Sequence, residues 1–200
     1  MMPSTIKSRP VYTGLRAVPT AVSNLVALEA AGAAAVLRML ADAPPGFAGR
    51  THLLYADDVG QADALERVRA LRTRRLDVVP GPDEVLRLLD DLLGAATMGT
   101  RLYAAGSEGF VGRVVRLGID HGIDHKSVLT EHGGSLARRV QCVHCKHTTE
   151  RVTASVFECG GCGTLLFVRD HYSRRLAAFQ GVCVNAEDPT ERPAPEEAYP

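Results

Sequence analysis

Four of the chain's five cysteines fall into two C-x2-C pairs, Cys142-Val143-His144-Cys145 and Cys159-Gly160-Gly161-Cys162, with thirteen residues between them. A two-residue gap lets a tight turn aim both thiolates at one point. Gly161 and Gly163, within and beside the second turn, supply the φ > 0 freedom such a turn needs. Two turns facing each other present Cys142, Cys145, Cys159 and Cys162 as a tetrahedron of sulfur. That is the ligand set of a structural Zn²⁺ site, with Zn–S bonds of about 2.3 Å. The same tetrahedron also suits a single iron that carries electrons. A pair of disulfides is a third arrangement, and it needs an oxidising compartment that nothing in the chain suggests. His144 and His147 lie within reach as substitute ligands. Because four cysteines already complete the coordination sphere, both histidines read first as polar residues on an exposed turn.

The strands expected around this box are β-branched Val152, Thr153 and Val156, then Leu165, Leu166 and Phe167. Together they make a small zinc-ribbon-like β module over residues 136–186. It includes the basic segment Arg169 to Phe179, which reads either as a partner-docking element or as a solvated helix face. Residues 187–200 are rich in Pro and Glu without apolar periodicity, and are expected to be extended, or disordered until a partner is present. Residues 1–20 contain Pro3, Pro10 and Pro19 and read as an extended arm, mobile or docked across a neighbouring surface.

Between arm and module, residues 21–135 alternate short apolar runs with amphipathic ones. Asn24–Leu28, Thr51–Ala56, Leu76–Val79 and Arg101–Ala105 read as strands, with a short final one at Ser127–Thr130. Helices are expected over Ala30–Ala41, Gln61–Arg72, Asp83 to Leu93 with Asp83 as N-cap, and Phe110–Leu117. Asp57–Asp58 and Gly60 form a turn after the second strand. The alternation gives an α/β class, a Rossmann-like parallel sheet with helices on both faces. Ligands of such sheets bind outside the carboxyl ends of the strands. Here those ends are Glu29–Gly32, Asp57–Asp58, Pro80–Gly81 and Gly106–Ser107.

Composition excludes several function classes. Lys and Arg total 23 and Asp and Glu total 23, so the formal charge is zero. A nucleic-acid partner usually calls for a marked basic excess. No apolar stretch approaches a membrane span, and the start lacks the apolar core of a signal peptide, so a cytoplasmic location is expected. His121 and His125 are four apart, but Gly118 and Gly122 argue against a helix carrying both. Cys183 reads as a bystander thiol. No residue set for catalysis emerges.

Thr51–Ala56, Arg101–Ser107, Gly109-Phe110 and Ser127–Glu131 resemble the nucleotide-binding half of ferredoxin-reductase-type flavoenzymes, especially the reductase components of oxygenases. In that family the Arg101–Ser107 strand would end in a Cys-Gly-Pro turn beside the nicotinamide; here it ends Ala105-Gly106-Ser107. The stretch matching the family's glycine-rich phosphate turn is Glu29-Ala30-Ala31-Gly32-Ala33. The resemblance makes Gly32, Gly106 and Ser107 the positions that would contact NAD(P)H. Against this, Glu29 repels a pyrophosphate and Asp57 and Asp58 suit a 2′-phosphate badly.

A second resemblance covers nearly the whole chain. Ser8-Arg9-Pro10-Val11-Tyr12, the cysteine box, Val168–Leu176, Phe179-Gln180-Gly181-Val182 and the closing Ala198-Tyr199-Pro200 are similar to the DmmA family of dimethylamine monooxygenase subunits. That resemblance implies an accessory, non-haem subunit of a complex that converts dimethylamine to methylamine and formaldehyde with O₂ and NADPH. Its partners would be a haem-bearing catalytic subunit and a flavin/iron–sulfur reductase. The alternatives are a redox component that itself binds NAD(P)H or iron, and a free-standing zinc-ribbon binding module.

Overall fold

The structure is a computed structural model describing residues 6–57, 62–188 and 190–200. It divides into two compact units, Tyr12–Gly134, and Ser135–Pro200 with the segment that precedes Tyr12.

The first unit is built on five parallel strands: β1 (Ser23–Glu29), β2 (Thr51–Asp57), β3 (Arg75–Pro80), β4 (Thr100–Gly106) and β5 (Leu129–His132). Their order is β3-β2-β1-β4-β5, so the sequence direction reverses at β1. Central β1 pairs with β2 from Asn24↔Thr51 and with β4 from Ser23↔Thr100. Four helices connect them: α1 (Ala33–Ala41), α2 (Ala62–Arg69), α3 (Gly81–Gly94) and α4 (Glu108–Asp120). The two-residue period of a strand sends alternate side chains to opposite faces. Val26, Leu28, Leu53, Tyr55 and Tyr103 therefore meet α1 and α2, through Val36, Met39, Leu65 and Val68. Leu25, Ala27, Leu54, Leu102 and Ala104 meet α3 and α4, through Val85, Leu89, Phe110 and Val114. Both faces are covered, which is why the inner strands are continuous apolar runs.

Several boundaries differ from expectation. Residues Ala30–Gly32 form a 3₁₀ turn ahead of α1 rather than its first turn. α3 begins at Gly81, with Pro82 in its first turn and Pro80 as N-cap, so Asp83 lies inside the helix and does not cap it. Proline is tolerated there because the N–H it lacks has no intrahelical acceptor anyway. α4 starts at Glu108, two residues early. Asp58 and Gly60 of the expected turn lie outside the described residues. The part of the N-terminal arm in this unit is docked: Leu15 is buried, its N–H donates to Glu131 at 2.7 Å, and the Val18 N–H donates to the Tyr103 hydroxyl at 3.2 Å.

The second unit is a five-stranded sheet in the order β7-β6-β10-β9-β8. Its strands are β6 (Arg138–Cys142), β7 (Thr148–Val152), β8 (Val156–Glu158), β9 (Leu165–Ser173) and β10 (Ala178–Cys183). β6 and β10 are parallel; the other pairs are antiparallel. The segment Arg169 to Phe179 is thus a β-hairpin, not a helix face. In β9, Leu166 and Val168 are buried while Phe167 and Arg169 are exposed. The core is small, with Val140, Val152, Val168 and Phe179 in one cluster and Leu166 against Cys142 and Cys159 in another. A unit of this size with so few buried side chains needs a further staple.

Residues 191–200 of the tail are extended, and they are not free. Glu197 bridges Ala154, the Ser155 N–H donates to the Glu196 carbonyl, and the Ala198 and Tyr199 N–H groups donate to the Thr153 carbonyl at 2.9 and 2.8 Å. Tyr199 lies over the guanidinium of Arg138, which is 3.9 Å from its ring and 4.0 Å from that of Phe179 on the other side.

Candidate metal centre

Each cysteine pair sits at the exit of a strand, Cys142 as the last residue of β6 and Cys159 directly after β8. The two turns repeat one geometry. The Cys142 N–H donates to the His147 carbonyl and the Cys142 carbonyl accepts from Lys146; likewise the Cys159 N–H donates to Thr164 and the Cys159 carbonyl accepts from Gly163, all at 2.9–3.0 Å. The residue after each second cysteine is left-handed, Lys146 at φ 67° and Gly163 at φ 71°. Only the second turn uses glycine for that purpose. Gly161 does something else: a Cβ there would lie 2.6 Å from the His147 Cβ and 3.2 Å from the Cys145 Sγ, so the missing side chain lets the two turns close on each other. The first turn is tied to the sheet by the Val143 N–H, which donates to Gly181 of β10 at 3.0 Å.

The result is four sulfurs within 4.8 Å of one another. Cys142 Sγ and Cys162 Sγ are 3.9 Å apart, and Cys145 Sγ and Cys159 Sγ 3.6 Å. A tetrahedron with metal–sulfur bonds of about 2.3 Å has edges of about 3.8 Å. Disulfide sulfurs would be about 2.05 Å apart. All four thiols are free. The spacing therefore fits a four-thiolate metal site. The Thr164 hydroxyl and N–H, with the His144 side chain, pull Cys162 down to about 5. For Cys145 the His147 N–H acts in the same sense, but burial and the hydrogen bonds of the neighbouring thiols outweigh it and push it up to about 12. Four thiolates repel one another unless a cation lies between them. Such a group of cysteines could hold a metal ion, and four sulfurs leave a tetrahedral ion no open position for substrate. His144 stands beside the site as a hydrogen-bond donor to Cys162 rather than among the four.

The carboxyl ends of the sheet look different. Glu29 Oε2 accepts the Ser107 N–H at 2.7 Å, at the start of α4. Gly106, at φ 152°, has no room for a side chain beside that carboxylate: a Cβ would sit 2.6 Å from Glu29 Oε2. Gly32 is pressed onto β4, where a Cβ would fall 2.3 Å from the Ala105 carbonyl oxygen. Gly106 and Ser107 thus come together with Glu29, while Gly32 serves the packing of the 3₁₀ turn. Tyr12, from the arm, donates its hydroxyl to Glu108 at 3.1 Å. His121 and His125 do not share a helix; His121 is the C-cap of α4 and pairs with Asp90, and His125 pairs with Asp124. Cys183 is half-buried with its thiol 3.4 Å from Asn185 Oδ1, away from the four-cysteine group. Among the described residues no helix is long and apolar enough to cross a membrane.

The family model for the dimethylamine monooxygenase subunit DmmA-like N-terminal domain matches residues 4–128, and that for the DmmA-like C-terminal domain matches residues 139–182. The chain belongs to the DmmA-like family. A curated relative from Ectopseudomonas mendocina (strain ymp), the heme-dependent oxidative N-demethylase delta subunit, is 31% identical over 147 residues, covering 71% of this chain and 84% of the relative. No solved structure gives a significant match. Within the DmmA-like family assignment, the C-terminal match spans β6 to β10, and so includes all four cysteines.

Two features escaped sequence reasoning. Nothing in the residue pattern announces a left-handed Lys146. A buried Arg138 also reads as an ordinary surface cation until the aromatic rings on both sides are known. The FQG segment and the closing AYP, which carry those rings, are the only signal available.

Proposed function

We propose that this chain is the accessory, non-haem subunit of a multisubunit dimethylamine monooxygenase. The overall reaction takes dimethylamine, O₂, NADPH and a proton to methylamine, formaldehyde, NADP⁺ and water. Haem, flavin and iron–sulfur centres belong to the partner subunits, and this chain serves complex assembly or the coupling of electron transfer. The observation that carries the reading is the family match over both units, joined to a sulfur cluster with no open coordination position. A closed four-thiolate site builds structure rather than binding substrate. Zn²⁺ is the proposed ion, held by Cys142, Cys145, Cys159 and Cys162. It would supply the small second unit with the stability its core lacks.

In the Rossmann-like unit, Glu29 occupies the helix N-terminus that would otherwise receive a pyrophosphate. This supports a scaffold that has given up NAD(P)H. The exposed face of β9 and its hairpin, with Arg169, Arg174 and Arg175, is the proposed docking element, because arginine forks suit carboxylates at interfaces.

The test is purification of the whole complex with and without this subunit. Loss of NADPH-dependent dimethylamine oxidation with retained haem and flavin supports the reading. Full activity in its absence would end it. An isolated chain that is red rather than colourless would favour the iron alternative.

A further inference from the structure

The amino ends of the parallel strands carry a cavity of about 340 Å³, at the opposite end of the sheet from Glu29. Its cationic lining comes from the starts of neighbouring strands, Arg50 beside β2 and Arg74 and Arg75 at β3, with His52 of β2 among them. No carboxylate lines it. Behind the wall, Asp77 accepts from Arg75 at 3.0 Å and lies 2.7 Å from His52 Nε2, so that one carboxylate serves both. Arg50 and Arg74 form no ion pair among the described residues. Arg50 is held in place by a bond from its Nη2 to the Pro19 carbonyl at 2.9 Å, and its Nε is buried without a hydrogen-bond partner. The chain is neutral overall, yet charge is segregated along the sheet: Glu29 and Asp57 end β1 and β2, while guanidiniums converge on the other end.

We infer that this cavity binds a small phosphate-bearing molecule. Two guanidiniums without carboxylate partners, converging on one concavity, match a dianion. The Thr97 hydroxyl in the lining offers a further hydrogen bond, while that of Thr100 is bonded to Ser23 at 2.9 Å. The remaining wall joins apolar Leu25, Leu92 and Ala96 to the polar Ser23 and Asn24. The volume is at the low end of the range of roughly 300–1,000 Å³ for small-molecule sites, which suits a mononucleotide-sized body rather than a dinucleotide. The site is independent of the proposed role in the monooxygenase. It also lies away from the strand ends where ligands of this kind of sheet normally bind.

The test is an NMR titration of the full chain at constant ionic strength, with adenosine monophosphate in one arm and inorganic phosphate in the other. Saturable shifts of the Asn24, Thr97 and Thr100 amides below about 1 mM adenosine monophosphate are expected. R74A should weaken binding about tenfold, as loss of one charge-assisted contact does. A96W should abolish it with the spectrum otherwise unchanged. Tighter binding of the nucleotide than of phosphate supports the apolar wall as part of the site; equal affinities would overturn the mononucleotide assignment. Shifts that do not saturate, that appear away from the cavity, or that survive both R74A and R74E would overturn the site itself. The charge reversal keeps the test valid if the tryptophan variant fails to fold, because Arg74 is exposed.

Discussion

Glu29 and Ser107 meet at the point where the strand order reverses: the carboxylate at the end of β1 accepts the first N–H ahead of α4, at 2.7 Å. In a nucleotide-binding sheet the pyrophosphate sits on a helix N-terminus, where unpaired N–H groups and the helix dipole favour an anion. Here the chain provides that anion from its own strand. Gly106 is retained, but the space its missing side chain leaves is taken by the same carboxylate.

Replacing Glu29 by Ala should therefore destabilise the first unit by about 1–2 kcal/mol, the scale of a charge-assisted hydrogen bond at a helix start. Hydrogen exchange at the Ser107 amide should rise with it. The wild-type chain should give no saturable NADPH fluorescence change. NADPH binding below about 0.1 mM that shifts the Ser107 amide would contradict the structural role given to Glu29.

The sulfur cluster leads to a second expectation. The Thr164 hydroxyl is 3.2 Å from Cys162 Sγ, and as a donor it stabilises the thiolate. Thr164→Val should lower metal affinity by roughly tenfold, the lower end of the range for residues that hydrogen-bond a ligand. Cys159→Ser should remove stoichiometric metal altogether and unfold β6 to β10 while leaving the parallel sheet intact. Elemental analysis gives the first result and amide protection by unit gives the second. Protection of Val140 and Val168 that is unchanged by C159S would refute a folding role for the metal.

The fold was legible where the physics is local. Buried parallel strands must be short apolar runs, so Leu25–Leu28 and Leu53–Ala56 stand out. The paired cysteines stand out because two ligands at that spacing force a turn. The hairpin from Arg169 was harder, since beyond Val168 the alternation is only between half-buried and exposed residues, and Asp170 shares the inward side with Tyr172. The docking of the tail was illegible because, apart from the Tyr199 ring, it is held by backbone hydrogen bonds involving Thr153 and Ser155, and these leave no trace in side-chain pattern. The start of α3 was misplaced because Asp83 is a good cap in principle, while Pro82 fits the first turn equally well.

Arg138 connects tail and sheet. Its guanidinium lies between the Phe179 and Tyr199 rings and donates to Asp170 at 2.8 Å. Stacking of a desolvated cation on an aromatic face is worth about 2 kcal/mol. Tyr199→Ala should cost that amount and release the tail, seen as faster exchange of the Ala198 amide. Arg138→Lys should not restore stability, because an ammonium cannot stack flat between two rings while bonding a carboxylate. A lysine variant as stable as the wild type would remove the stacking argument.

Glu131 fixes the N-terminal arm and sets a pH dependence. It accepts the Leu15 N–H at 2.7 Å and pairs with Arg38 at 2.5 Å. Burial alone would raise its pKa, but the hydrogen bond from Arg38, the Leu15 N–H and the Arg38 charge together hold it below the usual carboxylate range. A carboxyl whose folded pKa is depressed contributes stability that is fully present above its unfolded pKa of about 4.3, and loses it as pH falls through the folded value. Docking of the arm should accordingly be constant from neutral pH down to about 5 and weaken below about 4. In the Glu131→Gln variant the arm should be looser at neutral pH, by about 1–2 kcal/mol, and that part of the acid dependence should vanish. Exchange of the Leu15 amide, measured from pH 3.5 to 7 and corrected for the intrinsic rate, separates the two cases. A glutamine variant with the wild-type acid profile would assign the dependence to another carboxylate.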